Sequence, residues 1–178
     1  ATGHETLNPK RAFIFSRRSV RKYEDREVPP EMLHDLLEAG MAAPSAVARD
    51  PWHFIVLHDK NKLNQLADIL THGQMLRQAG AAFVVCGDIN QAHDQKESYM
   101  LQDLSAATEN ILLAANALGL GTCWLGVHPR PERMDGIRKL FQLPDNIIPM
   151  CSIAIGWPKD PPPARTRFNP DKVHQGAW

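Results

Sequence analysis

The sequence predicts a single three-layer α/β sandwich, and three observations carry that prediction. The 178 residues are 43% apolar and 22% charged, a length and balance suited to one folded domain and unlike a disordered chain. Short β-branched runs alternate, though only in part, with stretches whose apolar residues recur at helical spacing. Neither an internal repeat nor an interdomain linker interrupts residues 1–178, so both element types must share one body. Proline marks where the special loops lie. Five prolines fall between Pro9 and Pro51 and nine between Pro129 and Pro170, while residues 52–128 hold none, so the middle is the scaffold.

Taken in order, Asn8-Pro9 reads as N-cap and first residue of a short helix through about Phe15. Pro29-Pro30 opens a second helix with Leu33, Leu36, Leu37 and Met41 at helical spacing, ending near Gly40. His53–Leu57 is a strand, followed by a helix capped by Asp59 with Leu63, Leu66, Ile69 and Leu70 on one face. Ala82–Cys86 is short, continuous and apolar, as expected of a central strand covered on both faces. The longest helix runs from about Ser98 to Leu118. Its small residues Ser105, Ala106, Ala107, Ala114 and Ala115 allow close approach of another backbone, in the core or in a second subunit. Gly119-Leu120-Gly121 ends it with left-handed freedom, and Thr122–Val127 is the next strand. Pro131 starts a helix through about Phe141, and Ile147–Trp157 contains the last strand. Residues 158–178 carry five prolines and little periodicity, an extended arm that either frays or wraps around something.

Twenty Lys and Arg balance twenty Asp and Glu. Zero net charge provides no global field for nucleic acid or an anionic membrane, so any anion site must be local. No run of about 18 apolar residues suggests a membrane span. Cys86, Cys123 and Cys151 are odd in number, far apart and embedded in apolar runs, as expected of buried free thiols in a reducing cytoplasm. Residues 1–8 read as a disordered or added start.

The sharpest local feature is Arg17-Arg18-Ser19-Val20-Arg21-Lys22. From Lys10 to Arg26 seven basic residues face two acidic ones, and guanidinium forks beside a hydroxyl suit a phosphate with several acceptor oxygens. Small residues between Pro44 and Pro51, including Ser45, Ala46 and Asp50, make a loop that a flat ligand can approach closely. Arg165 and Arg167 add a basic pair in the late arm. Gly119-Leu120-Gly121 lacks the remainder of a dinucleotide fingerprint and precedes a strand, so a Rossmann site is rejected. No P-loop, nucleophile elbow or HExxH occurs, and the scattered histidines offer no metal site.

Together these motifs carry a family resemblance. The ordered set RRSVRKY, APSA…PWHF, ATENILLAANALGLGTCWLG and IAIGWP…RTRF…KVH, from about Phe15 to His174, closely resembles the flavin-dependent nitroreductases. The resemblance implies an α+β fold, a three-layer sandwich on a mixed, largely antiparallel sheet. It also implies a homodimer with FMN at each of two interface sites and a C-terminal arm, residues 158–178, reaching over the partner. Arg17, Arg18, Ser19 and Arg21 then match the phosphate and ribityl contacts, Arg165 and Arg167 the late pair that closes on the phosphate, and Ser45 and Ala46 the loop against the flavin ring. Trp124, Leu125 and Gly126 match the strand end passing the ring, where a backbone N–H can bond the flavin N5. The activity implied is ping-pong, two-electron reduction of a small-molecule acceptor such as a quinone or nitroaromatic, with NADH or NADPH as donor and no protein nucleophile. The other readings are a specialised dehalogenating or flavin-fragmenting relative and a non-catalytic flavin sensor.

One departure from the family pattern stands out. Many relatives read Pro-Ser-Ala-x-Asn-x-Gln-Pro-Trp, with amides that satisfy the flavin's pyrimidine edge, where this chain has Ala48 and Asp50. Ala48 cannot hydrogen-bond through its side chain, and an ionised Asp50 only accepts. The expectation is an altered flavin potential or weaker binding.

Overall fold

The computed structural model describes residues 9–178; the N-cap expected at Asn8 and the reading of residues 1–8 lie outside them. The chain enters through a 3-10 turn, Pro9–Arg11, and a five-residue helix α1, Ala12–Ser16. There follow α2 (Pro30–Met41), β1 (Trp52–Leu57), α3 (Lys60–Ile69), β2 (Ala81–Asp88), α4 (Glu97–Ala117), β3 (Gly121–Gly126), α5 (Pro131–Phe141) and β4 (Ile147–Gly156). Pro30 and Pro131 each stand at a helix start, where the missing N–H costs nothing. Asp59 caps α3, its Oδ1 accepting from the N–H groups of Asn61 at 2.7 Å and Lys62 at 3.3 Å.

The four strands lie in the order β1-β2-β4-β3, with every pair antiparallel. Ser19, outside the named strands, forms a parallel bridge to Thr122 of β3, adding a parallel pairing to the otherwise antiparallel sheet. Along β2, Ala81, Phe83 and Val85 join the core shared with α2 and α4, while Ala82, Val84 and Cys86 join the one shared with α3 and α5. Helices therefore cover both faces, and β2 reads as a continuous apolar run although its neighbours are antiparallel. Gly40 lets α2 sit against α4: a Cβ there would lie 2.9 Å from the Ile111 side chain. Met41, expected on the same apolar face, is instead 52% exposed at the end of α2.

Ladder register between β2 and β4 shifts at one point. Val85 opposes Cys151 and Cys86 opposes Pro149, leaving Met150 as the extra residue of a bulge beside a proline that has no N–H to donate. The bulge turns the Met150 carbonyl toward the chain leaving β3, where it accepts from the N–H groups of Val127 at 3.1 Å and His128 at 2.9 Å. The exit of β3, including Gly126, is thereby pinned.

The late arm folds back first on its own chain. The Lys159 N–H donates to the Lys22 carbonyl at 2.9 Å, the Arg165 N–H to the Phe15 carbonyl at 3.3 Å and Arg18 Nη1 to the Pro163 carbonyl at 2.6 Å. Beyond Arg167, Phe168, Val173 and Trp178 stand exposed. Among the described residues no helix is long and apolar enough to cross a membrane.

Candidate functional site

Val20 anchors the segment that carries the first basic cluster. Its N–H donates to the Thr122 carbonyl at 2.8 Å, its side chain is buried, and Tyr23 Oη donates to its carbonyl at 2.6 Å. Burial pushes the Tyr23 phenol well above its ordinary range, with the nearby Cys123 adding to the rise and Arg21 opposing it. This anchoring lays residues 17–21 along β3, where the glycine at Gly121 is needed. A Cβ there would fall 2.8 Å from Val20 Cβ and 2.9 Å from both its methyls.

Arg18 then lies among like charges. Its guanidinium is held below its ordinary value first by desolvation and then by Arg165, Arg17 and Arg167. The hydrogen bonds of the arm to Phe15 and Arg18 bring the two basic motifs, separated by nearly the whole chain, into one cluster. Glu109 on α4 lies 3.6 Å from Arg17 Nε and is the acid seen pairing with the cluster; desolvation raises the pKa of this carboxyl and Arg17 opposes the rise. A cleft of about 260 Å³, lined by Arg17, Arg18, Asn116 and the prolines of the arm, opens beside it. Four guanidinium groups with so little counter-charge fit a phosphate, whose oxygens accept several charge-assisted bonds together.

Trp124, Leu125 and Gly126, expected at the strand end passing the ring, line a second, larger cleft of about 380 Å³. Arg21, Cys123, Trp124, Leu125 and Gly126 line it together with His72 from the turn after α3 and Arg133 from α5. A Cβ built on Gly126 meets nothing within 4 Å, so this backbone is open to a ligand. Arg133 Nη1 donates to the Gly126 carbonyl at 3.0 Å. Burial raises the Cys123 thiol, while the charge and hydrogen bond of Arg21 pull the other way. Ser19 and Arg21 also line a groove with Lys22 and Lys159. An arginine cluster followed by a broad cleft with accessible backbone fits the two ends of FMN.

Ser45, Ala46 and Asp50 line none of these three clefts. Their loop is held elsewhere on α4, with the Ala46 N–H donating at 2.8 Å to Oδ1 of the buried Asp103. Asp103 and Glu109 are six residues apart, about 9 Å along the axis and about 120° around it; Asp103 and Asn116 are about 20 Å and 140° apart. The loop and the arginine cluster therefore sit on different sides of one helix. Asp50 is engaged inside the loop, its Oδ1 accepting from Ser45 Oγ at 2.6 Å and its N–H donating back to Ser45 Oγ at 2.9 Å. Val47, Ala48 and Asp50 all have left-handed backbones, with φ of 55°, 53° and 49°. For a β-branched valine that conformation carries strain.

His72, Arg133 and Asp103 were not among the expected site residues. Asp103 had a detectable signal: it lies on the helical stripe of Met100, Leu104 and Ala107, where an acid at a core position is unusual. Nothing local marks Arg133. Among the described residues no group of three or more His, Cys, Asp or Glu could hold a metal ion.

Comparison with known proteins agrees with this fold. A provisionally named NADH dehydrogenase/NAD(P)H nitroreductase from Archaeoglobus fulgidus is 46% identical over 168 residues, covering 93% of this chain and 96% of that protein. A structure with the same provisional name from Parabacteroides distasonis superposes with a TM-score of 0.90 at 39% identity, covering 97% and 100% of the two chains. A provisionally named nitroreductase from Desulfovibrio desulfuricans, solved in complex with FMN, gives 0.83 at 30% identity over 97% and 99%. The nitroreductase family profile matches residues 14–74 and 70–157, and with the sandwich and the clustered arginines this establishes that the chain belongs to the nitroreductase family.

Proposed function

We propose that this protein is an NAD(P)H-dependent FMN oxidoreductase that reduces quinones, nitroaromatics or related small molecules by ping-pong two-electron transfer. The observation that carries the reading is the gathering of Arg17, Arg18, Arg165 and Arg167 at one cleft, with Arg21 of the same segment lining a second cleft at the end of β3. FMN, when bound, would supply the electron-transfer chemistry between a nicotinamide donor and a second substrate. The arginines would hold the phosphate, Ser19 and Arg21 would bind toward the ribityl chain, and the open backbone at Gly126 would offer its N–H to the ring. Arg21, which lines the same cleft as Gly126, would add positive charge beside a bound ring and so would favour its more negative, reduced state. No side chain acts as a nucleophile.

The working unit in this reading is a homodimer. Because Ser45, Ala46 and Asp50 lie on another side of α4 from the arginine cluster, they serve the FMN held chiefly by a second copy. The exposed Phe168, Val173 and Trp178 belong to the part of the arm that reaches over that copy. The three free, buried thiols support a reducing, cytoplasmic setting.

The test is direct. Purified protein should be yellow or bind added FMN, have twice the chain's mass in solution, and oxidise NADH or NADPH steadily when given a quinone or nitroarene. A colourless monomer that ignores FMN would defeat the scheme. Bound FMN that neither nicotinamide can reduce would instead support a flavin-binding, non-catalytic role.

A further inference from the structure

The cleft at the end of β3 contains more positive charge than the phosphate cluster explains. Of its basic lining residues, Arg21 belongs to the segment laid along β3, but His72 comes from the turn after α3 and Arg133 from the first turn of α5. No carboxylate lines the cleft, and among the described residues Arg133 has no acidic partner. One of its five donors is bonded to the Gly126 carbonyl at 3.0 Å, which fixes the guanidinium at the strand end and leaves donors for a ligand. Beside it Gly126 is open and Trp124 is 38% exposed, so an aromatic surface and a fixed cation border the same space.

We propose that Arg133, with His72 in the same cleft, is a specificity-determining subsite for an anionic oxygen group, a carboxylate or phosphate, on a molecule that exchanges electrons with the flavin. The inference rests on the FMN reading above. The same chemistry is available from the phosphates of the nicotinamide donor and from an acidic aromatic acceptor. A planar anion can bond the guanidinium fork with two parallel hydrogen bonds while lying against the indole. A neutral molecule of equal shape gains only the stacking.

Pre-steady-state measurements on the FMN-loaded enzyme separate these sources, because the two half-reactions can be followed independently. Wild type, Arg133→Gln and Arg133→Lys are compared for reduction by NADH and by NADPH, and for reoxidation by 4-nitrobenzoate and by nitrobenzene. For an acidic acceptor, the 4-nitrobenzoate to nitrobenzene rate ratio falls roughly 10- to 100-fold in Arg133→Gln, as expected for one charge-assisted contact, and partly recovers in Arg133→Lys. For the donor, reduction slows by a similar factor instead, with NADPH alone or with both nucleotides. Ratios in both half-reactions that stay within twofold of wild type overturn the proposal, as does a weakened FMN dissociation constant with those ratios intact, which would assign Arg133 to the cofactor.

Wild-type holoenzyme provides a second readout. Benzoate, which cannot accept electrons, should bind at least 10-fold more tightly than benzamide for an acidic acceptor, and inorganic pyrophosphate should compete with the nucleotide for the donor. If neither anion shows such binding, the subsite is refuted even where the glutamine variant does not fold. Failure to bind FMN would remove the underlying reading as well; a working flavoenzyme with unaltered selectivity removes only this inference.

Discussion

Replacing Gly121 by alanine probes the join on which the phosphate cluster depends. The added Cβ would meet Val20 Cβ at 2.8 Å and both its methyls at 2.9 Å. Rotating the valine cannot relieve the first contact, because Cβ moves only with the backbone. Restoring an ordinary carbon separation of about 3.6 Å requires the two strands of chain to part by about 0.8 Å. That movement pulls directly against the 2.8 Å hydrogen bond from the Val20 N–H to Thr122. Overpacking of this kind costs about 1–3 kcal/mol, which for a chain of this size lowers Tm by roughly 4–8 °C at the middle of the range. The displaced residues 17–21 should also bind FMN more weakly. Thermal and urea unfolding of the FMN-free protein and titration with FMN check both effects. Val20→Ala in the same chain removes both methyls and should recover part of the Gly121→Ala loss, giving a favourable coupling of at least about 0.5 kcal/mol. An unfolding midpoint and FMN dissociation constant equal to wild type in Gly121→Ala would refute the claim that Val20 fixes this segment through close packing on β3.

Three further outcomes are expected. Tyr23→Phe leaves the Val20 carbonyl without its 2.6 Å donor and should cost about 1–2 kcal/mol in urea unfolding; no measurable loss would show that the hydroxyl contributes nothing. Asp50→Gln breaks the Asp50–Ser45 arrangement and removes a negative charge, so both the FMN dissociation constant and the flavin midpoint potential should shift, whereas unchanged values would show that Asp50 does not face the cofactor. Burial pushes the Cys86 and Cys151 thiols up to about 12, in each case with desolvation as the leading cause. The folded protein should therefore resist Ellman's reagent at these positions at pH 8. Their raised values favour the folded state below about pH 9, and that contribution is lost between about pH 9 and 12 as the unfolded thiols ionise first; Tm should fall across that window, and rapid labelling of Cys86 or Cys151 in native protein would contradict the placement.

The readily legible parts of the fold were those decided by local patterning. β2 is continuous and apolar because helices cover both its faces, and α3 announces itself through Asp59 and its leucine spacing. The bulge at Met150 was not legible, since it depends on how Pro149 meets Cys86 across the sheet. The site divides in the same way. Arg17, Arg18, Arg165 and Arg167 could be named as basic motifs, but only folding shows that they repel one another around Arg18. Arg133 has no distinguishing neighbours in sequence and becomes notable only when α5 brings it to Gly126. Asp50 illustrates the opposite limit: its identity raised the question of flavin contact, while its hydrogen bonds to Ser45 depend on a left-handed turn that Val47 and Ala48 do not favour.

The arginine cluster also implies two opposite responses to ionic strength. In the cofactor-free chain, the guanidinium groups around Arg18 oppose one another, and at 0.1 M salt such repulsion is screened over about 10 Å. Added salt should therefore steady the empty protein. Once a phosphate occupies the cluster the principal interaction becomes attraction, and the same salt loosens the complex. A chain with no net charge would thus become less dependent on its cofactor as salt rises, through a change confined to one corner of the molecule.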